Sequence, residues 1–206
     1  MPIILDPAEI EKKSFEIIEQ LLKGRLAQGP EKSVVMRVVH ATADTDFADS
    51  MVFSEGAVEA GVSAIKSACR ILTDVKMLRS GISPTRPGGQ EPYCYISDPE
   101  IFENSKKWGT TRAAAAFRKA AGDGLLDGAI VAVGNAPTAL YELIDLVKAG
   151  AKPALIVGVP VGFVGAAESK EALLELKGAP FITSRGRKGG SPVAAAIINA
   201  IIKLAI

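Results

Sequence analysis

The chain holds a single histidine, His40, in the segment Arg37-Val38-Val39-His40-Ala41-Thr42-Ala43-Asp44, where an apolar helical pattern runs into hydroxyl and acidic residues. Imidazole is the side chain that changes charge closest to neutral pH, so one copy beside charged neighbours is a candidate for moving a proton. The same position also suits a histidine that merely packs at a helix end. Arg37 stands three residues earlier, and on a helix that spacing sends both side chains from one face toward a common ligand. Asp44 and Asp46 follow where the helix should stop.

Positive charge is concentrated in Arg185-Gly186-Arg187-Lys188-Gly189-Gly190-Ser191, after an apolar run and before a helix start at Ser191-Pro192. Guanidinium forks and the amino end of a helix hold carboxylates or phosphates there, and a solvated basic turn is the plain alternative. No aromatic residues are interleaved to stack on bases, so nucleic acid is not the expected ligand. The glycines of Gly158-Val159-Pro160-Val161-Gly162-Phe163-Val164-Gly165 fall at the wrong intervals for GxGxxG, and the 185–191 loop reverses the Walker order. Both still bring backbone amides close to a ligand, because glycine has no Cβ in the way. Thr110-Thr111-Arg112 opens an alanine-rich helix. A hydroxyl there can cap it, while Arg112 opposes the helix dipole, which a ligand anion or a salt bridge would explain. Ser14, on the first helix, is unremarkable by itself.

These residues need elements to place them. Asp6 and Pro7 start a helix that runs to about Leu26, and Pro30 opens a second through Val34, Val35, Val38 and Val39, whose paired spacing is helical. Helix over 56–68, strand over 69–73 and a short helix over 74–79 follow. A Gly/Pro loop at 81–89, the one candidate hinge, precedes a strand at 93–96 and helices near 99–107 and 110–121. Strands at 129–133, 153–159 and 181–184 alternate with helices at 138–149, from about 167, and at 192–204. Continuous apolar strands alternating with helices predict an α/β fold, a mostly parallel sheet flanked by helices on both faces in three α/β/α layers. Such sheets bind ligands at the carboxyl ends of their strands.

The 206 residues suit one domain, and 48% hydrophobic content can fill its core. With 24 basic and 23 acidic residues, no net field draws the chain to nucleic acid or membrane. Cys69 and Cys94 are too isolated for a disulfide framework or a zinc site and are expected to be reduced and partly buried; with one histidine, no protein-held metal is expected. No stretch reaches the roughly 18 apolar residues of a membrane span, nor does the amino end form a signal sequence, so the cytoplasm is the expected compartment.

Taken together, several stretches resemble the precorrin-8X methylmutase family, including its cobalt-precorrin-8 branch, over nearly the whole chain. They are Ser14-Phe15-Glu16-Ile17-Ile18, Arg37 through Ala41, Asp74 through Met77 with Gly81-Ile82-Ser83, Thr111-Arg112, Gly134-Asn135-Ala136-Pro137-Thr138-Ala139-Leu140, Gly158 through Lys170, and the 185–191 loop. The resemblance implies an isomerase that moves a methyl group from C-11 to C-12 of a tetrapyrrole in cobalamin biosynthesis, giving hydrogenobyrinate or cobyrinate. It calls for no cofactor; cobalt, where present, belongs to the substrate. It implies His40 as the catalytic residue and Ser14 and Arg37 as substrate-binding, with Ser83, Arg112 and Asn135 near the macrocycle. Arg185 and Arg187 would then hold its acetate and propionate groups. A large flat substrate and modest loops suggest a homodimer that encloses it. The competing readings are a corrinoid carrier that binds without rearranging and a nucleotide-dependent enzyme, which the glycine spacing disfavours.

Overall fold

The computed structural model describes residues 5–26, 28–84 and 91–206. The first helix, α1 (Pro7–Leu21), starts where Asp6 accepts the Glu9 amide at 2.8 Å and Pro7 presets the first turn. It ends at Leu21, and 22–25 form turns, so the helix predicted to run to about Leu26 stops a turn early. α2 (Pro30–Thr42) packs against it. After α2 come α3 (Phe47–Ser50), β1 (Met51–Phe53), α4 (Ala57–Lys66), β2 (Ile71–Thr73), α5 (Lys76–Gly81), α6 (Pro99–Lys107) and α7 (Arg112–Gly122). The second half alternates β3 (Ile130–Val133), α8 (Pro137–Lys148), β4 (Leu155–Gly158), α9 (Ala166–Leu174), β5 (Phe181–Ser184) and α10 (Ser191–Ala205).

The sheet runs β1-β5-β4-β3-β2, parallel from β2 to β5, with β1 antiparallel on the edge, where Met51 pairs with Ser184. The predicted strand at 93–96 forms only a single bridge, Tyr93 to Leu72; the chain then turns, with the Asp98 amide on the Tyr95 carbonyl, into α6. The candidate hinge at 81–89 falls mostly on 85–90, outside the described residues.

Helices cover both faces, as the unbroken apolar strands require. Ile130, Ala132, Leu155 and Val157 point to one side, into a core shared with α2, α4 and α10; Val131, Val133 and Ile156 point to the other, toward α7, α8 and α9. α10 is the central helix of the first layer, with Ile197, Ile198 and Ile201 fully enclosed. The Cys69 and Cys94 side chains are half-buried. No helix among the described residues is long and apolar enough to cross a membrane.

Candidate active site

His40 sits in the last turn of α2, half-buried, with its Nδ1 2.8 Å from the Ser14 hydroxyl on α1. A hydroxyl both donates and accepts, so Ser14 satisfies Nδ1 whether that nitrogen carries a proton or a lone pair, and Nε2 is the nitrogen left for a ligand. The neighbouring Phe15 ring stacks on the imidazole, centroids 5.2 Å apart and planes 14° from parallel. Ser14 and Phe15 therefore fix the ring by an edge contact and a face contact from the same helical turn.

The groove they open into has a volume of about 390 Å³ and is lined by Ile10, Lys13, Ser14, Ile17, Ile18, Leu21, Val39, His40, Ala43 and Thr45. Its walls are mostly apolar. Ile10 and Ile17 are 47% exposed and Leu21 61% exposed, an apolar stripe along α1 facing outward. α1 turns this stripe out because it is a peripheral helix that buries only Ile18 along its length.

Arg37 lies elsewhere. Its guanidinium pairs with Glu11 at 2.7 Å and stands over Phe15, 4.8 Å from the ring centroid, in a second groove with Ser33, Met36, Ala200, Lys203 and Leu204. The same ion pair holds the Glu11 carboxyl below its ordinary value. Phe15 touches both residues, so the i, i+3 spacing does bring Arg37 and His40 to one neighbour, but they line different grooves.

α2 closes at Ala43, whose φ of 54° reverses the chain and sends Asp44 and Asp46 toward the sheet. There Lys188 meets both carboxylates at 2.7 Å, and this pairing lowers the pKa of Asp44 and raises that of Lys188. The histidine helix is thereby tied to the basic loop after β5. Within that loop Arg185 pairs with Glu171 at 3.2 Å, while Arg187, exposed, has its guanidinium over Phe163 at 5.8 Å and no ion pair among the described residues. Phe163 and Val164 are 85% and 89% exposed on the loop after β4.

The loops are seated by close backbone packing. A Cβ on Gly189 would fall 2.2 Å from the Val159 carbonyl oxygen, so no other residue fits there. A Cβ on Gly134 would likewise fall 2.9 Å from the Ser191 Cα. Next to it, the buried Asp74 accepts the amides of Gly134, Asn135 and Ala136 at 3.2, 2.7 and 2.9 Å. Burial pushes the Asp74 carboxyl up, against the opposing pull of those three donors. Asn135 is thus held at the carboxyl end of β3 with its side chain exposed. Thr111 caps α7 through the Ala114 amide and bonds Thr138, which sets the exposed Arg112 beside the same loop.

Ser83 follows α5, its amide donating to the Asn199 side chain of α10 at 2.8 Å, and the Asn199 amide group in turn donates to the Gly81 carbonyl. Asp74, Asn199 and Glu11 are the positioning residues that the sequence reading missed. Of these, Asp74 carried a signal: an acid placed directly after Ile71-Leu72-Thr73, at the carboxyl end of a strand. No cluster of three or more His, Cys, Asp or Glu that could hold a metal occurs among the described residues.

The described site couples an oriented imidazole in an apolar-walled groove to a rim of cations at the sheet's carboxyl edge, which suits a large ligand with a flat apolar body and acidic substituents. Comparison with known proteins agrees. A model of the precorrin-8X methylmutase family matches residues 9–204. The cobalt-precorrin-8 methylmutase of Priestia megaterium is 47% identical over 99% of this chain and 91% of its own length, and that of Methanocaldococcus jannaschii is 47% identical over 97% and 95%. The precorrin-8X methylmutase of Pseudomonas aeruginosa is 40% identical over 96% of both chains. The crystal structure of precorrin-8X methylmutase from Thermus thermophilus superposes with a TM-score of 0.89 at 44% identity, covering 96% of each chain. The chain belongs to the precorrin-8X methylmutase family, isomerases of cobalamin biosynthesis.

Proposed function

We propose that this protein moves a methyl group from C-11 to C-12 of precorrin-8X or cobalt-precorrin-8, acting in the cytoplasm as a homodimer and without a cofactor of its own. The observation that carries this reading is the Ser14-held imidazole in a groove open along an apolar wall. A migrating methyl group redistributes electrons around the conjugated ring, and a proton given to, or hydrogen-bonded with, a ring nitrogen stabilises the rearranged system. His40 Nε2 supplies that proton and takes it back once the methyl group has moved, so the isomerisation leaves the proton count unchanged. As it does so the bond from Ser14 keeps Nδ1 satisfied in either state, so the ring need not turn during the step.

The macrocycle body lies along Ile10, Ile17 and Leu21, where apolar burial favours binding without fixing charge. Its acidic rim is gripped by Arg187, with Arg185, Arg112 and Asn135 along the same carboxyl edge and Ser83 and Arg37 at the periphery. A second subunit laid over α1 encloses the ring, since the groove of one chain leaves that side open.

The test is to incubate the purified protein separately with metal-free and cobalt-containing precorrin-8 and record the absorption spectrum. Conversion of either to the corresponding corrin spectrum supports the activity and identifies the substrate. Unchanged spectra with both would exclude it.

A further inference from the structure

The ammonium of Lys170, on α9, is 1% exposed and forms no ion pair among the described residues. Its Nζ donates to the Lys188 carbonyl at 2.7 Å and to the Ser184 hydroxyl at 3.4 Å, and Ser184 donates to the same carbonyl at 3.1 Å. Removing an ammonium from water with only neutral acceptors is costly, and burial draws this one down to about 8. A methionine would fill the space without that cost, so stability alone does not call for an amine here.

What the amine holds is the backbone of the basic loop. Lys188, fixed through its carbonyl by Lys170, extends its side chain the other way to Asp44 and Asp46, at the end of the histidine helix. The next residue, Gly189, rests on Val159. On the other side of the loop Glu171, adjacent to Lys170 on α9, takes Arg185. Arg187 is left between these anchors, without an ion pair among the described residues and presented over Phe163.

We propose that Lys170 is a positioning residue for substrate binding: by clamping the Lys188 carbonyl it pre-orders the 185–190 loop, so that Arg187 meets a substrate carboxylate already in place. The loop's ordering entropy is then met in folding and does not weaken binding. This rests on the reading of Arg187 as a carboxylate anchor.

The experiment compares Lys170→Met and Arg187→Ala with the wild type, measuring kcat, KM and thermal midpoint with the precorrin-8 form that the protein converts. The expected result is a KM about five- to tenfold higher for Lys170→Met, kcat within about twofold, and a midpoint no lower than wild type. A raised KM for Arg187→Ala beside an unchanged KM for Lys170→Met overturns this proposal alone. An unchanged KM for Arg187→Ala overturns the carboxylate reading, and this proposal with it. A Lys170→Met variant that loses kcat and thermal midpoint together at constant KM shows a structural role only, and also overturns it. Should Lys170→Met fail to fold, Lys170→Gln and Ser184→Ala are measured instead: a raised KM supports the clamp and an unchanged KM overturns it.

Discussion

The Ser14 hydroxyl stands 2.8 Å from His40 Nδ1, across the contact between α1 and α2, and so joins the imidazole to a residue 26 positions away. Ser14→Ala removes the partner of one nitrogen and leaves the other unchanged. The expected outcome is a kcat about tenfold lower with KM within about twofold, since one hydrogen bond is worth roughly 1–1.5 kcal/mol. Ser14→Thr, which retains the hydroxyl, is expected to recover most of the rate in the same assay.

Arg187 and Arg185 should respond differently to removal. Arg187 has no ion pair to lose among the described residues, so Arg187→Ala is expected to raise KM about 10- to 100-fold with little change in stability, the range for one charge-assisted contact. Arg185 already pairs with Glu171 at the surface, and Arg185→Ala is expected to raise KM less. Steady-state kinetics at two ionic strengths checks both, the Arg187 contact weakening as salt rises.

Lys170 gives a pH dependence with a definite sign. Its folded value of about 8 lies below the usual lysine value, so the folded state resists the proton that the unfolded chain accepts. The stability tied to this group is therefore fully present above about pH 10.5 and is lost as pH falls through about 8. Lys170→Met has no such loss. Chemical denaturation at pH 7 and at pH 9.5 is expected to show the variant's advantage over wild type shrinking at the higher pH.

Gly189 leaves no space for a side chain, its Cβ position falling 2.2 Å from the Val159 oxygen. Gly189→Ala must displace the basic loop from β4, at a cost of about 1–3 kcal/mol typical of overpacking. A lowered thermal midpoint together with a raised KM is the expected pair of results.

The exposed stripe of Ile10, Ile17 and Leu21 carries the expectation of a homodimer. Light scattering at catalytic concentration is expected to give twice the 21.5 kDa chain mass, and Ile17→Glu to shift it toward the monomer. A monomer for the wild type would exclude shared enclosure of the substrate.

Much of this architecture is legible in the sequence because apolar periodicity and punctuation are local signals. Asp6-Pro7, Thr111 and the runs at 130–133 and 155–158 announce their elements directly. β1 and α3 are not legible: three and four residues are too few to show a period, and β1 is made a strand by pairing with β5, some 130 positions away. At 93–96 the reverse holds, a β-prone composition that finds only one bridge beside Leu72. In the site, the Arg37–His40 spacing predicts a common ligand, yet the two line different grooves with Phe15 against both, and that was not legible because Phe15 comes from another helix. Asp74 and Lys170 act on backbone 60 and 18 residues distant, contacts that exist only once the sheet has formed.

The most direct measurement is substrate binding and turnover by His40→Ala, side by side with wild type. Proton transfer by His40 requires that the variant bind precorrin-8 with affinity within a few-fold of wild type while kcat falls by about 10²–10⁴. Turnover near the wild-type rate with His40 replaced would contradict it, and would leave the groove between α1 and α2 as a place where the ring is held but not rearranged.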